Sequence, residues 1–351
     1  MKNLYKPLFI AIMALTLALP NYTFAGNKDR SGQAGASELL INPWARSSGW
    51  AGVNIANTYG LESMFTNVAG LAFTQRTELI FSNTQWLRGS EINISNFGLA
   101  QRLGPGSVMG ISVMSVGFGD IPIRTTELPE GGIGTFSPSY MNFNIAYAKA
   151  FSNTIYGGFN FKIINESISD VSAIGVAIDA GIQYVTGEQE NVRFGIALKN
   201  WGPTMKFKGD GLSIRSLLPG QDDYFTVEHR SADFELPSQL SIGGSYGFIL
   251  SDEHKLTTAL AFVSNSFYKD QYIGGLEYNF KNILMVRGGY AYEDGIFSTT
   301  DRTNAHTGWT AGASIQAPLN KEKGSSFSVD YSYRDSDPFA GTHTIAARLN
   351  F

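Results

Sequence analysis

Hydrophobic and polar residues alternate along most of the chain, from about Thr77 to its last residue. Alternation with a period of two places successive side chains on opposite faces of a β-strand. In residues 309–317 one face carries Trp309, Ala311, Ala313, Ile315 and Ala317, and the other carries Thr310, Gly312, Ser314 and Gln316. Such segments are roughly 9 to 11 residues long, the length of a tilted strand that crosses a bilayer. The pattern therefore predicts long strands with one apolar face.

Three further features favour a membrane barrel over a soluble sandwich. Short connections alternate with others that include two long ones, at about residues 118–139 and 201–236. Aromatic residues cluster where strands meet loops, as in an interfacial girdle. The last residues, 345–351, alternate and end on Phe351, which resembles the terminal strand recognised by the outer-membrane barrel assembly machinery. We predict an all-β fold over residues 74–351, a transmembrane antiparallel β-barrel of about 14 strands, with about 12 or 16 as alternatives.

One predicted strand changes phase. Ile92 and Ile94 fall on one face, but Phe97 and Leu99 fall on the other. A bulge or kink near Asn96 would explain the change, and ordinary variation of the sequence is the alternative.

The N-terminal residues do not follow the strand pattern. Two lysines precede an apolar run at residues 8–19, which is too short to span a bilayer, and small residues follow it. We therefore predict a secretory signal at residues 1–25. Residues 26–73, interrupted by proline and glycine, predict a plug in the lumen or a periplasmic segment. The residues expected in the plug include Pro43, Trp44, Arg46, Asn67 and Gly70.

Composition excludes several functional classes. The 351 residues include no cysteine, so neither disulfides nor thiolate metal sites are possible. A net charge of −4 gives no electrostatic case for a nucleic-acid partner. The four histidines have no metal-binding or triad spacing, although an acid–base pair could form between His306 and Asp301, or between His343 and Asp335 or Asp337. We expect a non-enzymatic protein without a cofactor or metal.

Charged residues of both signs fall on the predicted inward faces. They are Lys162, Asp179, Arg193, Lys199, Glu277, Arg287, Asp330 and Arg348. Charge on the lumen side avoids the penalty of facing lipid. The mixture of signs favours a structural lattice of ion pairs over a selective pore, which would need a like-signed constriction.

Several stretches of the chain resemble one known family. They are Ala45-Arg46-Ser47-Ser48-Gly49-Trp50-Ala51-Gly52-Val53, Asn67-Val68-Ala69-Gly70-Leu71-Ala72, Ala177-Ile178-Asp179-Ala180-Gly181 and Phe194-Gly195-Ile196-Ala197-Leu198-Lys199-Asn200-Trp201-Gly202-Pro203. They resemble the PorV/PorQ family of FadL-like outer-membrane barrels. The resemblance implies a 14-stranded barrel with an N-terminal segment in or under the lumen, and for some members a role in type IX secretion.

These inferences lead to a functional prediction for the cell outer membrane. We expect a docking or shuttle component of type IX secretion and cell-surface attachment, with outer-membrane lipids and other outer-membrane or periplasmic proteins as partners. These partners would include the translocon and the C-terminal domains of its cargo. The exposed apolar residues Ile121, Ile123, Leu217 and Leu218 of the two long loops are the expected contact points. The alternatives are a FadL-like passive transporter of hydrophobic molecules and a structural accessory subunit of another complex.

Overall fold

The computed structural model describes residue 30 and residues 32–351, apart from 218, 221–222, 299 and 321–323. The predicted signal at residues 1–25 and the loop residue Leu218 lie outside the described residues. No helix within the described ranges has both the length and the apolarity needed to cross a membrane.

Fourteen antiparallel strands form a closed barrel. They are β1 (Thr77–Trp86), β2 (Ile92–Gly104), β3 (Ser107–Gly117), β6 (Ser139–Ala150), β7 (Ile155–Ile168), β8 (Val171–Thr186), β9 (Val192–Trp201), β12 (Gln239–Ser251), β13 (His254–Asn265), β14 (Gln271–Phe280), β15 (Leu284–Glu293), β16 (His306–Asn320), β17 (Ser325–Ser336) and β18 (Thr342–Asn350). Two small hairpins stand outside the barrel, β4 (Ile121–Pro122) with β5 (Thr135–Phe136), and β10 (Ser213–Leu217) with β11 (Tyr224–Glu228).

The first and last strands close the barrel. β1 pairs with β18 from Glu78 opposite Asn350 to Gln85 opposite His343, so neither strand keeps a free edge along this register. The strand number and the antiparallel order confirm the fold predicted from the sequence. Each of the two long connections contains one of the hairpins. The start of β1 and the end of β18 lie at the opposite rim, together with the short turns. The long connections are therefore extracellular and the short turns periplasmic.

The outer wall is apolar. Leu260 is 73% exposed and Ile174 is 70% exposed, whereas their strand neighbours Ala259 and Ala173 point inward and are buried. The same alternation holds along β16, where Trp309 faces outward and Thr310 inward. Large apolar side chains exposed on every second position of a closed barrel form the surface that meets lipid. The fold is that of an outer-membrane barrel.

Of the two explanations offered for the change of phase in β2, the bulge or kink near Asn96 does not occur. β2 pairs without a break with β1 from Ile92 to Gln101, and its register with β3 shifts only beyond Arg102, near the periplasmic turn. Ile94 faces inward and is fully buried, whereas Phe97 faces outward. The apparent change of phase arises because this part of the lumen is apolar, so an inward position also takes a hydrophobic residue.

The N-terminal segment lies inside the barrel and packs against the inward faces of its strands. We call residues 34–73 the plug. It contains only short helical turns, at Ser37–Leu40, Ala45–Ser48, Leu61–Phe65 and Val68–Phe73. Irregular backbone is tolerated at membrane depth where protein surrounds it. One side of the plug packs its apolar residues, including Trp44, Met64 and Leu71, against the inner faces of β1, β2, β3 and β6.

Inward-facing glycines of the wall let the plug backbone approach closely. A Cβ on Gly195 would stand 2.4 Å from the carbonyl oxygen of Ile55, and one on Gly312 would stand 3.0 Å from the Cα of Gly49. Gly70 within the plug is equally enclosed, because its Cβ would lie 2.3 Å from the carbonyl oxygen of Thr58. These positions need glycine for lack of space and not for backbone conformation.

Candidate functional site

A buried ion network joins the plug to the wall. Arg348 of β18 lies 2.5 Å from Glu62 of the plug, 3.3 Å from Glu78 of β1 and 3.5 Å from Asp330 of β17. Each of these side chains is at most 4% exposed. One guanidinium thus faces three carboxylates in a site that water barely reaches. Since a buried charge without a partner is costly, the network holds the plug in one position.

Other plug residues also interact with the carboxylate of Glu62. One Glu62 oxygen accepts hydrogen bonds from the backbone N–H of Ser47 at 3.3 Å and from its hydroxyl at 3.0 Å. Arg46 lies 3.9 Å from the other oxygen and is 6% exposed. Leu61 donates its backbone N–H to Glu78 at 2.8 Å. The predicted plug residue Arg46 therefore belongs to the same network as the predicted lumen residues Asp330 and Arg348.

The other predicted lumen charges form two further pairs, and a serine connects one of these pairs to the Arg348 network. Arg287 donates to Glu277 at 2.9 Å and to the hydroxyl of Ser314 at 2.8 Å, and Ser314 in turn donates to Asp330. Lys162 lies 2.7 Å from Asp179. The backbone N–H of Asn200 also donates to Asp179, at 2.7 Å, so this carboxylate is fully engaged.

Arg193 differs from the other predicted lumen charges. Its guanidinium lies over the ring of Phe73, 5.2 Å from the centroid, and its Nε donates to the carbonyl of Glu190 at 3.4 Å. Within the described residues it has no ion pair. The structure therefore places Arg193 outside the lattice of ion pairs, because no carboxylate of the plug reaches the periplasmic end of β9.

The remaining predicted plug residues are buried. Pro43, Trp44 and Gly70 lie in the interior. Asn67 bridges plug and wall, since its amide donates to the carbonyl of Ile55 at 2.9 Å and to that of Ile182 of β8 at 3.0 Å.

A cavity of about 100 Å³ lies between the plug and the wall near the extracellular rim. Its apolar lining includes Phe65 from the plug with Val263 and Ile273 from the wall. Lys199 of β9 and Arg334 of β17 reach it from strands on different sides of the barrel. We call this space the extracellular vestibule. No aspartate or glutamate is among the described residues that line it.

Three cavities lie on the periplasmic side of the plug, with volumes of about 240, 220 and 20 Å³. They share Tyr59 and are lined by polar and charged groups, among them Arg46, Glu277 and Asn279. None of their lining residues also lines the extracellular vestibule. The plug therefore separates an upper compartment from a lower one.

The predicted loop residues lie at the surface. Ile121 and Ile123 are each 38% exposed, and Leu217 at the end of β10 is 51% exposed. On β11, Tyr224 is 65% exposed. The hairpin of β10 and β11 therefore presents apolar side chains to solvent.

The histidines form no acid–base pair with the aspartates proposed from the sequence. The Nδ1 of His306 lies 3.4 Å from the backbone carbonyl of Asp335, and that of His343 lies 2.8 Å from the hydroxyl of Tyr331. Neither imidazole contacts a carboxylate among the described residues. No group of three or more potential metal ligands occurs in the described ranges either.

A second buried acidic site holds the start of the plug. Glu38 is 4% exposed and Glu166 of β7 is 3% exposed. Neither Glu38 oxygen has a hydrogen-bond partner within the described part of the chain. Burial, reinforced by the charge of Glu166, raises the pKa of Glu38 from its usual 4.5 to about 8. Glu38 is therefore neutral near pH 7 and becomes charged above it.

This site predicts a pH dependence of plug stability. The folded protein retains a proton on Glu38 that the unfolded chain releases near pH 4.5, so stability is full below pH 4.5 and falls as the pH rises through about 8. We expect the melting temperature of the wild-type protein to fall more between pH 5 and pH 9 than that of Glu38→Gln, measured in the same detergent. If the melting temperatures of the two proteins fell equally over this pH range, ionisation of Glu38 would not be the cause of the pH dependence.

Several residues that shape the site were not singled out from the sequence. Glu62 and Glu38 lie in the irregular plug, where no periodicity shows which side chains are buried. Glu78 and Arg334 lie near strand ends, where a charge usually faces solvent. An acidic residue within an apolar plug segment, as in Leu61-Glu62-Ser63-Met64-Phe65, is the signal that could have indicated Glu62.

Comparison with known proteins shows similarity at the level of fold. No protein-family model matches the chain, and no curated protein matches it in sequence. Among solved structures, the monoaromatic hydrocarbon channel CymD has a TM-score of 0.51 at 13% identity and covers 89% of this chain and 98% of its own. The toluene transporter TodX of P. putida has a TM-score of 0.51 at 12% identity, covering 88% and 97%. A FadL homologue of Pseudomonas aeruginosa has a TM-score of 0.50 at 10% identity, covering 87% and 96%.

These structures are named as channels and transporters, or as homologues of FadL, and none as an enzyme. The similarity extends over almost the full length of each of them. The chain therefore has a FadL-like outer-membrane barrel fold.

Proposed function

We propose that the protein is a plugged passive channel for small hydrophobic or amphipathic molecules in the outer membrane. The observation that carries this proposal is the extracellular vestibule, a cavity at the entrance to the lumen in which the apolar side chains of Phe65, Val263 and Ile273 lie beside polar groups. A concave site that offers both apolar and polar groups suits a small amphipathic molecule. The similar fold of barrels named as hydrocarbon channels supports the same function.

Passage to the periplasmic side would require the plug to move. The plug separates the vestibule from the lower cavities, and the Arg348 network fixes it in place. A molecule that occupies the vestibule therefore reaches the periplasmic cavities only when a segment of the plug shifts. In this proposal the plug acts as a gate.

A disulfide between plug and wall tests the proposal. Leu61 of the plug meets Gly98 of β2, where the γ-carbon of Leu61 lies 3.2 Å from the position of a Cβ on Gly98. This spacing suits a disulfide between Leu61→Cys and Gly98→Cys, and the chain has no other cysteine. In proteoliposomes we expect toluene or benzoate flux above that of empty vesicles for the wild-type protein, at least a tenfold loss in the oxidised double variant, and recovery on reduction.

The two single variants, with and without reductant, are the matched controls. Wild-type flux no higher than that of empty vesicles would overturn the channel proposal, and equal flux in the oxidised and reduced double variant would overturn plug movement.

Docking in protein export is the second candidate. The exposed apolar hairpin of β10 and β11 favours it, because solvent-exposed apolar groups on a rigid hairpin suit a protein interface. On this view the resemblance to the PorV/PorQ family would extend to type IX secretion, with translocon or cargo domains as partners and outer-membrane lipids around the barrel. A protein that shows no flux but co-purifies with other outer-membrane proteins, and loses them when residues 213–228 are replaced by a short linker, would support docking over transport.

A further inference from the structure

Two buried carboxyl groups near the start of the plug have no cationic partner. Glu38 of the plug and Glu166 of β7 are 4% and 3% exposed, and neither belongs to an ion pair among the described residues. Lys162 shares the inward face of β7 with Glu166. Its ammonium group, however, is held by Asp179 and Asn200, at 2.7 Å from each. The two acidic groups therefore share a site that water barely reaches, where both ionise only beside a positive charge.

Several buried oxygen atoms around this site lack a hydrogen-bond partner within the described part of the chain. They are both carboxylate oxygens of Glu38, the Oε1 of Glu166 and the Oδ1 of Asn142. Asn142 of β6 is 2% exposed and lies diagonally across from Glu166, which is paired with Tyr140. Diagonal neighbours on one face of an antiparallel sheet are within reach of each other's side chains. The unpaired amide oxygen points to a ligand independently of the two carboxyl groups.

A proton alone satisfies this arrangement poorly. Glu38 retains one near pH 7, but the hydrogen of a carboxyl group donates only one hydrogen bond. The other oxygen atoms then stay unpaired in the interior, which is costly for buried polar groups. A divalent cation would instead engage oxygen atoms of all three side chains and neutralise both carboxylates at once.

Ligand chemistry and charge favour calcium among the divalent cations. Carboxylate and amide oxygens are ligands that Ca²⁺ prefers, in flexible sets of about six to eight oxygens that often include water. Mg²⁺ demands a near-ideal octahedron and usually keeps several waters, which suits an enclosed site less well. Tyr140 lies within electrostatic reach of both Glu38 and Glu166, so its hydroxyl is a further oxygen close to the site.

We propose that Glu38, Glu166 and Asn142 bind a calcium ion that joins the start of the plug to the barrel wall. The ligands come from segments far apart in the chain, so the sequence shows no metal-binding spacing. The ion would fix the plug near the extracellular rim, whereas the Arg348 network fixes it near the periplasmic rim. The site goes beyond the proposed transport function and does not depend on it.

Calorimetric titration of the full chain with CaCl₂, in non-ionic detergent at pH 9 after treatment with EDTA, tests the inference. We expect Glu38→Gln and Glu166→Gln each to raise the Kd for Ca²⁺ at least about tenfold, because each removes one of two charged ligands. Asn142→Leu should raise it by about three- to tenfold, since it removes a neutral ligand. Ca²⁺ should also raise the melting temperature of the wild-type protein but not that of the double variant Glu38→Gln with Glu166→Gln.

Glu235→Gln is the matched control. It removes a carboxylate from the same rim, one that pairs with Arg30 at 2.6 Å and is 55% exposed, and should leave the Kd for Ca²⁺ unchanged. The heat-dependent shift on electrophoresis shows that each variant is folded before titration. Absence of Ca²⁺ binding by the wild-type protein, or an unchanged Kd in the double variant, would overturn the inference. Equal affinity for Mg²⁺ would overturn the assignment to calcium.

Discussion

Replacing Arg348 with methionine is expected to lower the free energy of unfolding by about 3–5 kcal/mol, the cost of removing one partner from a buried ion pair. The variant keeps an unbranched apolar stem but removes the guanidinium, so Glu62, Glu78 and Asp330 lose their shared cation. Arg46 remains, but it lies 3.9 Å from Glu62. Thermal unfolding in detergent, followed by circular dichroism and by the heat-dependent shift on electrophoresis, would measure the loss.

Lys281→Met is the matched control for this prediction. Lys281 pairs with Glu253 at 3.0 Å across two neighbouring periplasmic turns, with both side chains about half exposed. An exposed pair of this kind contributes only about 0–1 kcal/mol. The deficit of Arg348→Met should also shrink towards acidic pH, because carboxylates that have lost their cation take up protons. A deficit no larger than that of Lys281→Met would show that the network does not hold the plug.

Replacing Gly195 with valine is expected to displace the plug, at a cost of about 1–3 kcal/mol for overpacking. A Cβ at this position would approach the carbonyl oxygen of Ile55 to 2.4 Å and the Cα of Ala56 to 2.9 Å, and both are backbone atoms that cannot rotate away. The amide of Thr58, which bonds to the carbonyl of Asn54 at 2.7 Å, should lose protection. Hydrogen exchange measured by mass spectrometry over residues 54–60 reports this displacement.

Gly274→Val provides the comparison within the same barrel. Gly274 faces outward, and a Cβ there would meet only the side chain of Leu260, at an ordinary contact distance of 3.5 Å. Valine on the lipid-facing wall suits a strand and should leave both stability and exchange unchanged within about 0.5 kcal/mol. Similar exchange over residues 54–60 in the two variants would mean that the wall glycines do not position the plug.

Outward positions of the barrel were predictable from the sequence because one physical rule governs them. Lipid accepts only apolar groups, so residues such as Trp309 and Ile315 mark one face of β16 without knowledge of any partner. The lumen obeys no single rule. Ile94 of β2 meets an apolar part of the plug, whereas Asp330 of β17 meets Arg348 and hydroxyl groups. The apparent change of phase in β2 has the same origin, because Ile92 and Ile94 are apolar although they face inward.

Charged lumen residues were identified from the sequence, but their partners were not. Arg287 and Glu277 share an inward face of neighbouring strands, so a pairing between them follows from register. Arg193 and Lys199 lie on the same face of β9, so they look equivalent in the sequence. In the structure Arg193 lies over the ring of Phe73, whereas Lys199 lines the vestibule. That difference depends on which part of the plug lies opposite each residue.

By itself, the sequence determined the class of fold, because strand periodicity and the aversion of lipid to polar groups are local properties of each segment. It therefore indicated the number of strands, the long extracellular connections and the presence of a segment without strand periodicity before the barrel. Tertiary structure alone decided how that segment packs, since its backbone is irregular and its contacts join residues far apart in the chain, such as Glu62 with Arg348. The vestibule, too, was visible only in the tertiary structure. Its two cations come from β9 and β17, and only the closed barrel brings them to the same cavity.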